Sequence, residues 1–176
     1  MIKTFILVIF IVLNSSILKA ENKNPLILEN QKFCQLSDLE FSIFKIKIYD
    51  ISLCNNEKQK LPYQNIYQKD FVISIKYDIN ISSKKLTKTS IEEIKKHYQI
   101  SQNEENFIEE SLNKIFPNVK KGDNILANYQ NKKIYFKHNG REIGQINDEN
   151  FAKKFLDIWL HSESEYKEMR EKLVNY

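Results

Sequence analysis

The sequence has few of the residues that break or link secondary structure. Its 176 residues include three glycines and three prolines, which leaves little material for flexible linkers between domains. No internal repeat and no low-complexity tract is present in the sequence. We therefore predict that the chain beyond its first 20 residues folds as one domain, because a chain of about 156 residues can fill a core of its own.

Arginine is nearly absent, and the excess of positive charge is small. Arg141 and Arg170 are the two arginines, and lysine supplies the other Lys+Arg positions. The formal net charge of +4 falls to +2 once Lys3 and Lys19 are removed with the N-terminal segment. Basic residues are spread along the chain and mixed with acidic ones, as they are on an ordinary solvated surface. The sequence therefore predicts no nucleic-acid partner.

Long hydrophobic runs are also lacking, apart from one at the N-terminus. Residues 5–13 are unbroken apolar residues that follow Lys3 and precede the polar residues 14–16. This three-part pattern is typical of a cleavable secretory signal peptide. The alternative is a transmembrane anchor, but a spanning helix needs about 20 apolar residues. We predict a signal peptide over residues 1–20, an exported domain over residues 21–176, and no stable membrane anchor after cleavage.

The sequence contains two cysteines, Cys34 and Cys54. An oxidising compartment would permit a disulfide between them. They lie in neighbouring predicted strands, but a simple hairpin register does not place them directly opposite each other. A disulfide and two separate buried thiols both remain open. No CxxC motif and no cysteine–histidine cluster is present, so the sequence predicts no metal site and no cofactor.

Hydrophobic periodicity predicts strands at both ends of a helical region. The clearest strand is 70–79, where Phe71, Ile73 and Ile75 share one face and Ser74 and Lys76 share the other, which indicates one buried face and one solvated face. The other predicted strands are 33–36, 44–53, 123–130, 132–138 and 142–146, with turns near 37–40 and at Asn139–Gly140 and a loop over 61–69. The first predicted helix is 83–98, for which Thr89 with Glu92 offers an alternative start. The others are a helix that starts near Ser101 and is stopped by Pro117, a helix capped by Asn147 or Asp148, and a last helix opened by Ser162 with Glu165.

Strands, two helices, a meander and two further helices make an α+β chain. The arrangement that fits this order best is an open-faced, mostly antiparallel β-sheet with helices packed on one face.

Several local strings, taken in order, resemble the chalcone isomerase-like family. The segment 44–53 resembles the family's lysine-valine-tyrosine strand, and Lys121-Gly122-Asp123 resembles the turn before its meander. The remaining matches are Asn139-Gly140 with Gly144, the helix carrying Phe151, Leu156, Ile158 and Trp159, and the final helix ending at Leu173. The resemblance spans nearly all of residues 21–176 and points to an exported bacterial branch of the family, located in the periplasm. It implies an open-faced sheet with helices layered on one side.

The resemblance also carries an expectation about catalysis. The family's plant enzymes close a flavanone ring, and their arginine can stabilise the bound anion and the developing enolate. The corresponding stretch here, residues 34–41, has no arginine. The enzymes' threonine position falls on Lys47, and their tyrosine falls near Ser52 or Cys54. We therefore predict no catalytic residue, and a divergent isomerase or intramolecular lyase is the least favoured function.

Ligand binding without chemistry fits the residues better. Other members of the family bind fatty acids, and a carboxylate in an apolar slot needs a cation and a hydroxyl at its end. The candidates are Lys45, Lys47 and Tyr49, which alternate onto one side of a strand, and Tyr77 on the apolar face of another. The alternative places both lysines on the solvent face with Tyr49 at a sheet edge, and it is favoured because lysine is rarely buried unpaired.

The sequence as a whole predicts an exported, periplasmic, non-catalytic protein that binds a small apolar or amphipathic ligand such as a fatty acid. The alternative from another class is a protein-interaction module of the cell envelope that uses an open sheet face or an edge strand. Three histidines, His97, His138 and His161, show no ligand spacing and are interpreted as surface or packing residues.

Overall fold

The computed structural model describes residues 33–41 and 46–175. The predicted signal peptide and Lys45 lie outside the described residues. The six strands are β1 (Phe33–Phe41), β2 (Ile46–Asn55), β3 (Phe71–Tyr77), β4 (Asn124–Gln130), β5 (Lys133–His138) and β6 (Arg141–Ile146). They form a single antiparallel sheet in which sequence neighbours are also neighbours in space.

Four α-helices accompany the sheet, and their starts follow local capping chemistry. They are α1 (Ser83–His97), α2 (Gln102–Ile115), α3 (Glu149–Leu160) and α4 (Lys167–Leu173). The side chains of Ser82, Ser101 and Asp148 each accept a hydrogen bond from a backbone N–H in the first turn of the following helix. These N–H groups have no partner within the helix itself, so the caps satisfy them. The predicted α+β class, an open antiparallel sheet with helices, is confirmed.

The core lies between the helices and one face of the sheet. Helix α3 is the most buried helix, since nine of its side chains are buried. Its Phe155 packs edge-on against Phe136 of β5 at 5.3 Å between ring centroids. Helix α1 packs on α2 and α3 through Ile91 and Ile94, which are 7% and 0% exposed. The opposite side of α1 is left facing the β2–β3 side of the sheet.

Several predicted boundaries were wrong near the N-terminal end of the sheet. Residues 37–40 are part of β1, not a turn, because their backbone pairs with β2 and this long-range pairing overrides the local turn preference of Ser37 and Asp38. The predicted loop 61–69 contains a short 3₁₀ helix, Tyr63–Gln68.

Two further expectations also fail. The last helix begins at Lys167 and not at Ser162. In the segment before it, the hydroxyl of Ser164 donates to the carbonyl of Ile158 at the end of α3. The polar face of β3 is less solvated than expected, since Ser74 is 6% exposed. β3 is an inner strand, and the amide of Asn124 on the neighbouring β4 donates to the Ser74 hydroxyl at 2.7 Å. The short Ser74 side chain is therefore covered by its neighbours.

The meander boundaries agree with the prediction to within one residue. Asn139 and Gly140 both have positive φ, 49° and 81°, which is the conformation that a tight two-residue hairpin turn requires. Within the described part of the chain, no helix is long and apolar enough to cross a membrane.

Candidate ligand cavity

A cavity of about 680 Å³ lies between α1 and the sheet. Its walls come from β2, β3 and β4, from the segment that leads into α1, and from α1 and α3. The cavity exists because α1 packs one side against its neighbouring helices, while a gap separates its other side from the sheet. Ligand sites typically have volumes of about 300 to 1,000 Å³, so the cavity is large enough for a small organic molecule.

The interior of the cavity is lined mainly by apolar and aromatic side chains. The sheet contributes Ile48, Ile75, Ile125 and Ala127, the helices contribute Leu86, Phe155, Ile158 and Trp159, and Ile79, Ile81 and Phe116 come from connecting segments. When an apolar ligand packs against such a lining, apolar surface is removed from water, which is favourable by about 25 cal/mol for each Å². The cavity is therefore suited to a hydrocarbon chain or an aromatic group.

Two tyrosines place hydroxyl groups in this apolar interior. Tyr49 of β2 and Tyr77 of β3 lie directly opposite in the strand register, with ring centroids 6.2 Å apart in an edge-to-face contact. Both line the cavity, and they are 9% and 6% exposed. Burial raises the pKa of both phenols far above the ordinary value, so both remain protonated hydrogen-bond donors at neutral pH.

The Tyr49 hydroxyl is fixed by α3. The indole Nε1 of Trp159 donates to the Tyr49 oxygen at 2.8 Å. Since that oxygen accepts the hydrogen bond from the indole, the Tyr49 O–H group can still donate to another acceptor. The Tyr77 hydroxyl has no hydrogen-bond partner among residues 33–41 and 46–175.

The polar lining groups are concentrated on α1 and the segment before it. Asn80, Ser82, Lys85 and Glu92 are exposed and mark the mouth of the cavity. Glu93, which follows Glu92 on α1, is half-buried.

A network of charged and polar groups ties α1 to the segment before α4. The Lys96 ammonium lies 3.0 Å from the Glu93 carboxylate and 2.9 Å from that of Glu165. Tyr166 also lines the cavity, and burial followed by the negative charge of Glu93 raises the pKa of its phenol. The hydrogen bond to Glu165 is the largest contribution to a raised pKa of Lys96. The network therefore closes this side of the cavity with groups that are already paired.

Lys47, predicted as a ligand-binding residue, is not among the residues that line the cavity. The register of β1 and β2 shifts so that Leu39 pairs with Tyr49 and Glu40 pairs with Lys47, leaving Ile48 as an extra residue. This β-bulge interrupts the alternation of side chains, so that Ile48 and Tyr49 both line the cavity. The alternation predicted for Lys47 and Tyr49 is wrong for that reason.

Lys47 forms ion pairs with two carboxylates of the protein. Its ammonium lies 2.5 Å from Asp50 and 3.3 Å from Asp78. Burial lowers the pKa of Lys47, but the two carboxylates outweigh burial and raise it above the ordinary value. Tyr49 is also not at a sheet edge, because β2 lies between β1 and β3. Of the four predicted ligand-binding residues, the structure brings together Tyr49 and Tyr77.

Cys34 and Cys54 lie directly opposite each other in the register of β1 and β2. The expectation that the hairpin register would offset them is wrong, because β1 extends to Phe41 and its connection to β2 lies further along the chain than the predicted turn. The two sulfur atoms form a disulfide. Cys54 is fully buried.

Neither arginine is among the cavity-lining residues. Arg170 of α4 is buried, and its guanidinium donates to the backbone carbonyls of His161 and Ser162. Arg141 begins β6, at the far edge of the sheet from β1. The structure thus brings no guanidinium to Tyr49 and Tyr77 from the described part of the chain.

A separate polar cluster surrounds Asp157 of α3, whose side chain is fully buried. Tyr67 donates to one carboxylate oxygen at 2.5 Å, and Tyr98 donates to the other. Burial and the negative charge of Asp157 raise the pKa of Tyr67 well above its ordinary value. None of the three residues lines the cavity. The cluster joins the 3₁₀ helix, the end of α1 and α3.

The three histidines also lie away from the cavity lining. His97 stacks on His161 with ring centroids 4.4 Å apart, and burial followed by the charge of His161 lowers the pKa of His97. His138 lies 3.1 Å from the Asp123 carboxylate at the hairpin turn.

The residues that sequence reasoning missed are Trp159, Lys85 and the polar side of α1. Trp159 entered the family resemblance without any role for its N–H, which the structure shows to be a hydrogen-bond donor inside the cavity. A usable signal for α1 was present, since Leu86, Thr89 and Glu93 share one side of the helix, a mixed stripe that does not fit a packed core.

Comparisons with known proteins address the fold and the family. The sequence profile of a family described as chalcone isomerase-like matches residues 42–175. The chain belongs to the chalcone isomerase-like family. A crystal structure of a fatty-acid binding protein from Arabidopsis thaliana is similar, with a TM-score of 0.59 and 11% sequence identity over 82% of this chain and 87% of that chain. At that identity the likeness shows a shared fold. No curated protein matches the chain.

Proposed function

We propose that this member of the chalcone isomerase-like family is an exported, periplasmic, non-catalytic protein that binds an amphipathic ligand with a hydrocarbon chain, such as a fatty acid. The observation that carries the proposal is the apolar cavity of about 680 Å³ between α1 and the sheet. The structural neighbour is a fatty-acid binding protein of the same fold, which supports the choice of ligand class.

The cavity chemistry supports binding without catalysis. Ring closure requires a group that stabilises a developing enolate, and a fixed guanidinium is suited to this because it is always charged and offers several donors. The cavity is lined by neither arginine nor histidine among its described residues, and Lys47 is paired with Asp50 and Asp78. Incubation of the protein with chalcones should therefore give no flavanone above the spontaneous rate, and a stereospecific product would contradict this part of the proposal.

Export is supported by the sequence of residues 1–20 and by the cysteines. The N-terminal run has the composition of a signal peptide, and a Cys34–Cys54 disulfide is the kind of bond that persists in oxidising compartments. Export with signal cleavage is tested by mass spectrometry of the protein recovered from its own cell envelope. Loss of residues 1–20 is expected, and a mature chain that retains them would argue for an anchor.

Ligand binding is tested by thermal unfolding with added fatty acid and by native mass spectrometry. A ligand present at about 100 times its dissociation constant stabilises the folded state by about 2.7 kcal/mol. For a domain of this size, that raises the melting temperature by about 5 to 10 °C. Native mass spectrometry of the protein purified from its cell envelope should show a co-purifying lipid.

Two variants make the test specific to the cavity. Ala127→Leu adds volume at a buried lining position and should reduce the shift, with circular dichroism reporting whether the fold is kept. Leu36→Ser changes an exposed residue of β1 outside the cavity and should keep the shift. The proposal fails if wild-type protein shows neither a shift with fatty acids nor a bound lipid.

The alternative is a protein-interaction module of the cell envelope. It would use the edge strand β1, where Leu36 is 49% exposed, since an unpaired strand edge can add a strand from a partner. A protein that co-purifies with wild-type chain and is lost in Leu36→Ser, together with an absence of lipid, would favour the module.

A further inference from the structure

The polar groups inside the cavity are donors without charge. Tyr49 and Tyr77 line the sheet side of the cavity among apolar side chains, and each has an O–H proton with no acceptor among the described residues. A hydroxyl that lines an apolar cavity is favourably placed when it donates a hydrogen bond. An oxygen atom of a ligand placed near the two rings would supply the missing acceptor.

The charges around the two tyrosines do not favour an anion there. The charged lining residues all belong to α1, and they are Lys85, Glu92 and Glu93. Lys85 is exposed at the mouth. Burial is the main cause of the raised pKa of the Tyr49 phenol, and the negative charge of Glu93 adds to it. The same charge would repel a carboxylate beside Tyr49.

Two lysines outside the cavity lining are already paired with acidic residues. Lys96 binds Glu93 and Glu165, while Lys47 binds Asp50 and Asp78. An ionised carboxylate moved out of water needs a cationic partner of its own. The interior offers two hydroxyl donors instead.

Resting on the proposed ligand-binding function, we propose that Tyr49 and Tyr77 donate hydrogen bonds to an uncharged oxygen of the ligand. The cavity then selects a hydrocarbon chain that ends in an ester, ketone, aldehyde or protonated carboxylic acid over one that ends in an ionised carboxylate. Trp159 is a positioning residue in this arrangement, because its N–H holds the Tyr49 oxygen. A fatty acid binds as the neutral acid.

The test compares dodecanoic acid with its methyl ester, by isothermal titration calorimetry at about pH 5 and about pH 8. A carboxylic acid ionises near pH 4 to 5, and each further pH unit lowers the neutral fraction about tenfold. Binding of the acid should weaken by more than about tenfold between the two pH values, whereas binding of the ester should change little. At the higher pH the ester should bind more tightly than the acid.

Variants assign the effect to the tyrosines. Tyr77→Phe removes a donor that has no partner among the described residues and should weaken ester binding by about 5- to 10-fold. Tyr49→Phe should act in the same direction. Tyr135→Phe is the matched control, since Tyr135 lies on β5 outside the cavity lining, and it should bind the ester as wild type does.

Three outcomes would contradict the inference, and one of them would also contradict the proposed function. Tighter binding of the acid at about pH 8, lost in Lys85→Gln, would mean that the mouth lysine holds a carboxylate; this overturns the inference and leaves the proposed function standing. Equal binding of the ester to wild type and to the Tyr49→Phe/Tyr77→Phe double variant would also overturn it. If neither probe binds wild-type protein at either pH, the proposed function fails as well.

Discussion

The indole N–H of Trp159 on α3 donates to the hydroxyl oxygen of Tyr49 on β2 at 2.8 Å. Both residues are buried, and both line the cavity. This hydrogen bond is a direct polar link between the helical layer and the sheet, made at the site where a ligand would be held.

The coupling between these two residues can be measured with a double-mutant cycle. Trp159→Phe and Tyr49→Phe should each lower the free energy of unfolding by about 1 to 3 kcal/mol, because each removes a buried hydrogen bond and Trp159→Phe also removes ring volume. The double variant should lose less than the sum, with a coupling of about 0.5 to 1.5 kcal/mol in urea unfolding followed by circular dichroism. Tyr77→Phe is the control and should cost less than Tyr49→Phe. Strict additivity would contradict the hydrogen bond.

The second prediction concerns the Cys34–Cys54 disulfide, which closes a loop with a sequence separation of 20 residues. A bond across a loop of this length restricts the unfolded chain and stabilises the folded protein by about 3 kcal/mol. The Cys34→Ser/Cys54→Ser double variant should therefore lose about that amount in urea unfolding.

Addition of reductant provides the control for the disulfide. It should lower the melting temperature of the oxidised wild-type protein and leave that of the double variant unchanged. Alkylation of unfolded, unreduced protein, followed by mass spectrometry, should add no label to either cysteine. Labelling of both would show two free thiols.

The parts of the fold that sequence predicted are those governed by local rules. The N-caps at Ser101 and Asp148 and the turn at Asn139–Gly140 depend on residues within a few positions of each other, and the structure has them as predicted. Residues 37–40 were assigned wrongly because their conformation depends on pairing with β2, which local composition does not report.

The candidate site shows the same division between local and long-range effects. Tyr77 was placed on the buried face by strict alternation along β3, and it does line the cavity. Lys47 was misplaced because the bulge at Ile48 changes the period of β2, and a bulge depends on the register with another strand. The cavity itself arises from how α1 stands relative to the sheet, which no local pattern encodes.

The third prediction tests the buried carboxylate of Asp157, which accepts hydrogen bonds from Tyr67 and Tyr98. Asp157→Asn replaces one acceptor oxygen by a donor and should lower the free energy of unfolding by about 2 to 4 kcal/mol, because hydrogen bonds to a charged group are strong and a mismatched buried group adds its own cost. Asp50→Asn is the matched control. It breaks a partly exposed ion pair with Lys47 and should cost at most about 1 kcal/mol. Similar losses in the two variants would argue against the cluster as a structural element.

The last prediction is a loss of stability at alkaline pH that depends on the two cavity tyrosines. Tyr49 and Tyr77 have folded-state pKa values raised above the ordinary value of 10.0, because burial disfavours the phenolate. The stability that comes from keeping them protonated is fully present below about pH 10 and is lost as the pH rises towards the folded-state pKa values. Above about pH 10 each tyrosine ionises in the unfolded chain but not in the folded one. Each then lowers the free energy of unfolding by about 1.4 kcal/mol per pH unit.

Urea unfolding from about pH 9 to about pH 11 measures this slope. The free energy of unfolding should fall most steeply with pH in the wild-type protein. The slope should be smaller in Tyr77→Phe, which lacks one ionising tyrosine, and smaller again in the Tyr49→Phe/Tyr77→Phe double variant. Tyrosinate absorbance gives an independent reading, since the two phenols should ionise together with unfolding and not before it. Identical slopes in wild type and in both variants would show that these hydroxyls are open to solvent, and that the apolar environment on which the choice of an uncharged ligand depends is absent.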